Sequence, residues 1–296
     1  MHYLYDSMVA NEQDFTLDLD KIIRDNAGSK AKFIPRFVVS WLKKTIHQDE
    51  LNEFLSTDAK GKYGVDFLDA CIKYLRMNLK VRSNVDGVVT DGLSQIPYNE
   101  DGKYYTIVGN HPLGGMDGIA LGSVVCHKFD SKMVYLVRGL LMNLKGLAPL
   151  CIPINTAGPQ SRDFPKMVEA AFKAEKNIVM FPAGLCSRKQ DDGSIKDIAW
   201  KKTFITKSIQ YHHDVIPVHF SGSNSKKFYN IARWCKKLHI KVNIAQLYLV
   251  DEMYKNAGKD FTVTFGKPIP WQTFDKSKTH YEWAQWVREK VYELDK

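Results

Sequence analysis

The stretch YYTIVGNHPLGGMDGIALGSVV, residues 104–125, decides the fold of this chain. Its first five residues are aromatic or β-branched, as in a buried strand, and its last seven have the composition of a buried helix. In the loop between them, His111 and Asp117 lie six positions apart, on either side of Gly114 and Gly115. We expect the glycines to let the loop fold back so that the two side chains meet. A histidine oriented by a carboxylate is suited to act as a general base.

A structural role would explain the same two residues. An aspartate at the start of a helix often only caps that helix, and a histidine near an aspartate in sequence is a frequent coincidence. The loop by itself therefore leaves both interpretations open, and the choice between them depends on the rest of the chain.

From residue 81 to the C terminus, short apolar runs alternate with helical patterns. The predicted strands are 107–108, 133–137, 151–154, 178–181, 215–220, 242–248 and 261–265. The predicted helices are 164–175, 199–211, 226–237 and a C-terminal packing helix that carries Ala284, Val287, Val291 and Leu294. This alternation predicts an α/β domain over residues 81–296, in which helices flank a mixed, largely parallel sheet.

Residues 1–80 have few strand signals and predict a helical N-terminal region. Within it, Phe37 and Trp41 belong to an apolar stripe over residues 34–46 that basic residues surround. Such a stripe commonly packs against its own domain, but it also suits a helix lying at the surface of an anionic membrane. Residues 226–237 have the same mixture of basic and aromatic side chains. Both segments are therefore candidates for membrane docking.

The charge of the chain indicates the class of partner. Lys and Arg outnumber Asp and Glu by 42 to 33, which gives a net charge of +9. This excess favours an anionic partner: a nucleic acid, an acidic carrier protein or a membrane surface. The sequence contains no recognised nucleic-acid motif, and its basic residues are dispersed. We therefore expect no nucleic acid partner, although the basic segment 226–241 keeps that class as the alternative.

The remaining composition argues against a metal site and a membrane span. The five cysteines have no pair spacing typical of metal sites and are expected to be reduced cytosolic thiols. The Asp191-Asp192-Gly193 turn lacks the further ligands of a metal site, so no metal is expected. The chain has neither the N-terminal pattern of a signal peptide nor a run of about 18 apolar residues. These features predict a cytoplasmic protein, soluble or peripherally bound.

Three further loops carry unusual residues and follow predicted strands. Active sites in open α/β sheets gather where loops leave the carboxyl ends of the strands. The loops are residues 155–163, which contain Arg162; residues 181–189, which contain Gly184, Ser187 and Arg188; and residues 215–223.

The four loops, in this order, resemble the lysophospholipid/glycerol-phosphate acyltransferase family of the phosphatidate-forming type. The likeness covers about residues 80–225 and is greatest to a hemolysin-like bacterial branch with O-acyltransferases of amino-acid lipids. It implies transfer of a fatty acyl chain from acyl carrier protein or coenzyme A, as co-substrate, to a hydroxyl of a lyso-lipid, with no bound cofactor. It also implies a peripheral enzyme on the inner face of an anionic membrane.

The resemblance assigns roles to individual residues. His111 would remove the proton of the acceptor hydroxyl, and Asp117 would orient the imidazole and stabilise its charged form. The implied substrate contacts are Arg162, Gly184, Ser187 and Arg188, and the implied support for the oxyanion or the loop comes from Gly114 and Gly115. A hydrolase in which the same histidine activates water remains an alternative.

The chain departs from the family pattern at positions that concern the acceptor. The family has a Glu and an Arg in its Phe-Pro-Glu-Gly-Thr-Arg-Ser motif where this chain has Ala183 and Cys186. It also places four residues between its His and Asp, whereas five lie between them here. The missing Glu and Arg are those expected to hold glycerol phosphate. We therefore predict an amino-acid lipid acceptor of the N-acyl glycine or ornithine type, with a lysophosphatidate or other glycerolipid acceptor as the alternative.

Overall fold

The computed structural model describes residues 16–27, 34–98, 102–138, 144–154, 164–237 and 244–295. The strands are β1 (Asn78–Val85), β2 (Val88–Asp91), β3 (Tyr105–Gly109), β4 (Met133–Arg138), β5 (Cys151–Ile154), β6 (Asn177–Met180), β7 (Arg188–Lys189), β8 (Ile195–Lys196), β9 (Asp214–Phe220) and β10 (Asp260–Gly266). The α-helices are α1 (Leu19–Ala27), α2 (Arg36–Thr45), α3 (Gln48–Ser56), α4 (Val65–Tyr74), α5 (Met116–Lys128), α6 (Phe164–Lys173), α7 (Thr203–Tyr211), α8 (Lys226–Lys237), α9 (Ile244–Lys255) and α10 (His280–Glu293).

One sheet of eight strands carries the fold, in the order β2-β1-β10-β9-β3-β6-β4-β5. Within the run β9-β3-β6-β4-β5, each pair of adjacent strands is parallel. Strands β1 and β10 are also parallel to each other. The β9–β10 and β1–β2 pairs are antiparallel, and β7 and β8 form a separate short hairpin. The predicted α/β fold with a mixed, largely parallel sheet and flanking helices is confirmed.

Strand β3 lies inside the sheet, and all five of its residues are buried. Ile107 belongs to the apolar core on one face, together with Phe67 of α4 and Met116 of α5. Val108 belongs to the core on the other face, with Phe204 of α7. Because helices cover both faces, the strand has a continuous apolar run instead of alternation. Its carboxyl end therefore delivers the chain from the protein interior into the loop that carries His111.

The N-terminal helices pack against α9. The rings of Trp41 in α2 and Tyr248 in α9 lie edge to face, with centroids 5.8 Å apart. His47, just after α2, stacks on Tyr254 at 4.3 Å, and its Nε2 lies 3.1 Å from Asp251 Oδ1. Part of the apolar stripe on α2 is thus used for packing inside the protein.

The predicted strand at 242–248 is wrong, because α9 begins at Ile244. Residues 242 and 243 lie outside the described residues. The segment contains apolar residues at alternate positions, but it is also rich in Ala, Gln and Leu, which are strong helix formers. Leu249 and Met253, four residues apart, lie against the loop that follows β3. In a helix these two side chains lie on the same face only about 6 Å apart along the axis, so both can pack against this one short loop. Burial of that face therefore favours the helix.

Within the described parts of the chain, no helix is both long and apolar enough to cross a bilayer.

Candidate active site

The loop after β3 is fixed to the neighbouring strand at its base. Asn110 is buried and donates from Nδ2 to the carbonyl of Phe220 at 2.9 Å. The backbone N–H of Phe220 returns a hydrogen bond to Asn110 Oδ1 at 2.7 Å. This reciprocal pair joins the carboxyl ends of β3 and β9, so the following residue, His111, starts from a rigid position.

His111 and Asp117 meet as their spacing predicts. Nδ1 of His111 lies 3.1 Å from Oδ2 of Asp117. The carboxylate is fully buried and also accepts backbone N–H bonds from Leu113 at 2.9 Å, Gly114 at 3.2 Å and Gly118 at 2.9 Å. Asp117 therefore organises its own loop while it holds the imidazole.

The ring of His111 is held on its face as well as at its edge. It stacks on Phe181, with ring centroids 4.1 Å apart and planes 20° from parallel. Its side chain retains 18% exposure. Within the described residues Nε2 has no hydrogen-bond partner, whereas Nδ1 is engaged by Asp117. The arrangement leaves one ring nitrogen available to take up and release a proton.

The electrostatics of the pair favour the charged forms. Burial by itself lowers the pKa of His111, but the charge and hydrogen bond of Asp117 outweigh burial and raise that pKa above its usual 6.5. Arg188 acts in the opposite direction and lowers the pKa of His111. Burial by itself raises the pKa of Asp117, but the interaction with His111 and the loop N–H bonds bring it below its usual value.

The glycines of the loop support its shape. Gly114 has a φ of +75°, which side chains with a Cβ rarely adopt, and an added Cβ would lie 2.9 Å from Leu249. A Cβ on Gly115 would lie 2.8 Å from the sulfur of Met253. The N–H of Gly114 donates to Asp117, and the N–H of Gly184 donates to the carbonyl of Phe181 at 2.9 Å. These bonds are consistent with a role in supporting the loops. An oxyanion contact from Gly114 or Gly115, and a substrate contact from Gly184, stay predictions.

A second loop, residues 181–188, is joined to the first through the backbone. The N–H of Ser187 donates to the carbonyl of His111 at 2.7 Å. Gly184 makes the preceding turn with a φ of +70°. Ser187 itself is buried. The structure thus brings the predicted residues Gly184, Ser187 and Arg188 to the same sheet edge as His111, while Arg162 lies outside the described residues.

Asp197 completes the site, although the sequence patterns did not predict it as a site residue. Its buried Oδ1 accepts from the N–H of His111 at 3.2 Å and from Oγ of Ser187 at 2.6 Å. Its Oδ2 accepts from Nε1 of Trp200 at 2.9 Å. Burial raises the pKa of Asp197. The residue lies 86 positions from His111 in a polar stretch, where a solvated aspartate is the natural expectation, so no local pattern marks it.

Replacing Asp197 by alanine is expected to lower the free energy of unfolding by about 2–4 kcal/mol, because Ser187 and Trp200 lose a buried acceptor. Urea denaturation measures the change. Asp191→Ala, an exposed aspartate in the same segment, is the matched control and should stay within about 0.5 kcal/mol. Equal losses of unfolding free energy in the two variants would contradict the role of Asp197 in joining the loops of His111 and Ser187.

The geometry argues against a nucleophilic cysteine and against a metal site in the Asp191-Asp192-Gly193 turn. Burial raises the pKa of Cys186 to about 11, so its thiol is protonated at neutral pH and poorly suited as a nucleophile. Asp192 accepts bonds from the backbone and hydroxyl of Ser194 within an exposed turn. In the described ranges, no three His, Cys, Asp or Glu side chains come together as a metal site.

Comparison with known proteins identifies the family. A family model described as Acyltransferase matches residues 21–296. The chain belongs to this acyltransferase family. The resemblance stated from the four loops is thereby confirmed, and the protein is an O-acyltransferase by its likeness to relatives of that name, which it matches over 98% of their length.

Two relatives illustrate the likeness, and one solved structure also aligns with the chain. The chain is 57% identical over 286 residues to a lyso-glycine lipid O-acyltransferase of Phocaeicola vulgatus, covering 97% of this chain and 98% of that protein. It is 57% identical over 280 residues to a protein of the same name from Bacteroides thetaiotaomicron, covering 95% and 98%. The 1-acyl-sn-glycerophosphate (LPA) acyltransferase PlsC of Thermotoga maritima aligns over 78% of this chain and 80% of its own, with a TM-score of 0.43 and 14% identity.

The two positions at which this acyltransferase departs from the glycerol-phosphate pattern are both buried. Ala183 is 1% exposed and packs in the core that contains Trp200, while Cys186 is 4% exposed and packs with Phe228. Neither side chain carries charge or reaches the surface. The loop therefore offers no acidic or basic group at the positions where the family pattern has its Glu and Arg.

Proposed function

We propose that this acyltransferase transfers a fatty acyl chain from a thioester to the free hydroxyl of a lyso-glycine lipid, forming an ester. The observation that carries the proposal is the 57% identity, over nearly the whole chain, to two proteins named for that reaction. The buried Ala183 and Cys186 support it, because a glycerol-phosphate acceptor would lose its customary charged contacts there.

In the proposed mechanism, His111 is the general base. Its Nε2 removes the proton of the acceptor hydroxyl as the oxygen attacks the thioester carbonyl. The tetrahedral intermediate then expels the thiolate, which takes the proton from the imidazolium, so the ester and the free thiol are released. No acyl-enzyme is required, because the thioester is already activated. General-base help of this kind typically contributes about 10²–10⁴-fold in rate.

Asp117 would assist by holding the imidazole tautomer. With Nδ1–H donated to the carboxylate, the lone pair lies on Nε2, where the hydroxyl proton has to be received. The buried carboxylate then stabilises the imidazolium that forms. Acyl carrier protein or coenzyme A would supply the thioester, and the net charge of +9 suits either anionic donor.

The acceptor is tested by incubating the purified protein with an isotope-labelled acyl thioester and either the lyso-glycine lipid or lysophosphatidate. We expect mass spectrometry to detect the acylated glycine lipid and to give a higher kcat/KM for that acceptor. Parallel reactions with acyl carrier protein and coenzyme A thioesters identify the donor. Use of lysophosphatidate alone would contradict the proposed acceptor, and acyl release that is independent of any acceptor would indicate a hydrolase.

We further propose that the protein docks peripherally on the anionic inner face of the membrane through α2 and α8. Phe37 of α2 is 75% exposed and Trp234 of α8 is 60% exposed, and each lies on a helix with basic side chains. Both helices pack on α9, which also contacts the loop of His111. Aromatic and basic groups on one helix suit insertion at the headgroup level, and an acceptor lipid must be taken from that level.

A Phe37→Ala, Trp234→Ala double variant is expected to bind vesicles with a partition coefficient about tenfold lower, because two exposed aromatic side chains are lost. Sedimentation with phosphatidylcholine vesicles, with and without phosphatidylglycerol, measures binding. Tyr281→Ala, which removes a 51% exposed ring on α10, is the matched control and should bind as the unmodified protein does. Unchanged binding of the double variant, or equal binding to uncharged vesicles, would contradict this surface.

A further inference from the structure

We propose that Arg188 binds the carboxylate of the glycine headgroup and thereby selects the acceptor. The inference rests on the proposed function and adds to it the residue that recognises the headgroup. It is carried by three features of Arg188: a fixed guanidinium, unused donors and a position next to His111.

The guanidinium is fixed by its own loop. Nη1 donates to the carbonyl of Cys186 at 2.7 Å and to that of Ser187 at 3.2 Å. The Cζ atom lies 5.5 Å from the centroid of the buried Phe228 ring, within cation–π distance. A planar group held along one edge and over one face presents its remaining edge in a constant direction. Little side-chain entropy is then lost when a ligand binds.

This guanidinium forms no ion pair with a carboxylate of the described residues. Arg188 is half-buried, yet no Asp or Glu among the described residues lies within ion-pair distance of it. Its Nη2 and Nε likewise have no protein acceptor within those residues, because its hydrogen bonds all come from Nη1. A carboxylate matches the free edge of the fork, since it accepts two parallel N–H bonds.

Arg188 is placed where a headgroup contact would serve the reaction. It directly follows Ser187, whose N–H is bonded to the carbonyl of His111. The preceding loop residues, 181–187, contain no charged side chain. Arg188 is thus the first cation along the loop beside the base. An acceptor held there by its carboxylate would have its hydroxyl confined to the neighbourhood of His111. Transfer requires this proximity of the hydroxyl to the base.

The test compares the lyso-glycine lipid with its carboxamide, which has the same shape but no charge. The unmodified protein should use the acid with a kcat/KM about 10- to 100-fold higher than the amide, as expected for charge-assisted hydrogen bonds at a half-buried site. Arg188→Gln should lose that preference, with the change mainly in the KM of the acid. Arg188→Lys keeps the charge without the fork and should recover part of it. Lys189→Gln removes a charge from the adjacent, exposed position and should keep the full preference.

The outcomes separate this inference from the proposed function. Acylation of acid and amide with equal efficiency, or an Arg188→Gln variant that still prefers the acid, overturns the inference and leaves the function intact. Failure to acylate either lipid overturns both. A third outcome would assign Arg188 to the phosphates of the donor instead: Arg188→Gln would raise the KM of acyl-coenzyme A but not that of a phosphate-free N-acetylcysteamine thioester. Thermal unfolding of each variant verifies that its fold is retained.

Discussion

Substitution of His111 by alanine is expected to lower kcat for acyl transfer by about 10²–10⁴-fold, the largest effect that we predict for a single side chain. The reason is that Nε2 is the group proposed to accept the hydroxyl proton, while Nδ1 is already engaged by Asp117. The fold should persist, because the ring is half-buried and contributes mainly its stacking on Phe181. Initial rates with saturating thioester and acceptor, together with circular dichroism, measure both properties.

The chain offers a matched control for this variant. His127, on α5, forms another histidine–aspartate pair, with Nε2 2.8 Å from Oδ2 of Asp69. That pair is exposed at the far end of the same helix, since 63% of the His127 side-chain surface is accessible. His127→Ala should transfer acyl chains at the unmodified rate. Full activity in His111→Ala, or equal losses in both variants, would contradict the role of His111 as the base.

The second large effect is expected from Asp117→Asn, which should lower activity by about 10²-fold or more and move its pH dependence. The base works only when the imidazole is neutral, so activity rises as the pH increases through the pKa of His111. Burial, the largest effect, and Arg188 lower that pKa, whereas Asp117 and, less strongly, Asp197 raise it. Without the carboxylate charge the lowering effects dominate, and the acidic limb of the profile should move to lower pH.

Two measurements verify the shift independently. The first is the pH profile of kcat/KM, and the second is the NMR titration of the His111 ring, which does not depend on turnover. Asp69→Asn removes the carboxylate of the His127 pair and should leave the profile unchanged. An acidic limb that stays in place, or that moves to higher pH, would show that Asp117 does not set the pKa of the base.

Much of this architecture follows from local sequence patterns. The apolar run of β3 and the glycines after it predict a strand, a folded-back loop and a helix, and the predicted proximity of His111 and Asp117 is confirmed by their 3.1 Å separation. These features are predictable because they depend on residues close together in the chain. The helical predictions around residues 164–175, 199–211 and 226–237 are matched by α6, α7 and α8 for the same reason.

Other features depend on contacts between distant segments and were not predictable. Strands β1 and β2 lie at the border of the sheet, where exposed polar residues interrupt the apolar pattern. The conformation of α9 depends on packing against the loop of His111, and its residues alone are compatible with a strand. Asp197 contacts the loop of His111 only because the folded chain brings residues 86 positions apart together, so its burial is a property of the tertiary structure.

The double restraint on the imidazole has a consequence for the reaction as a whole. Phe181 limits rotation of the ring about its Cβ–Cγ bond, and Asp117 fixes which edge faces the solvent. The entropy loss of aligning the imidazole is therefore incurred once, when the protein folds, and is not repeated with every substrate. This preorganisation leaves the acyl chain and the acceptor as the components that still have to be ordered when they bind.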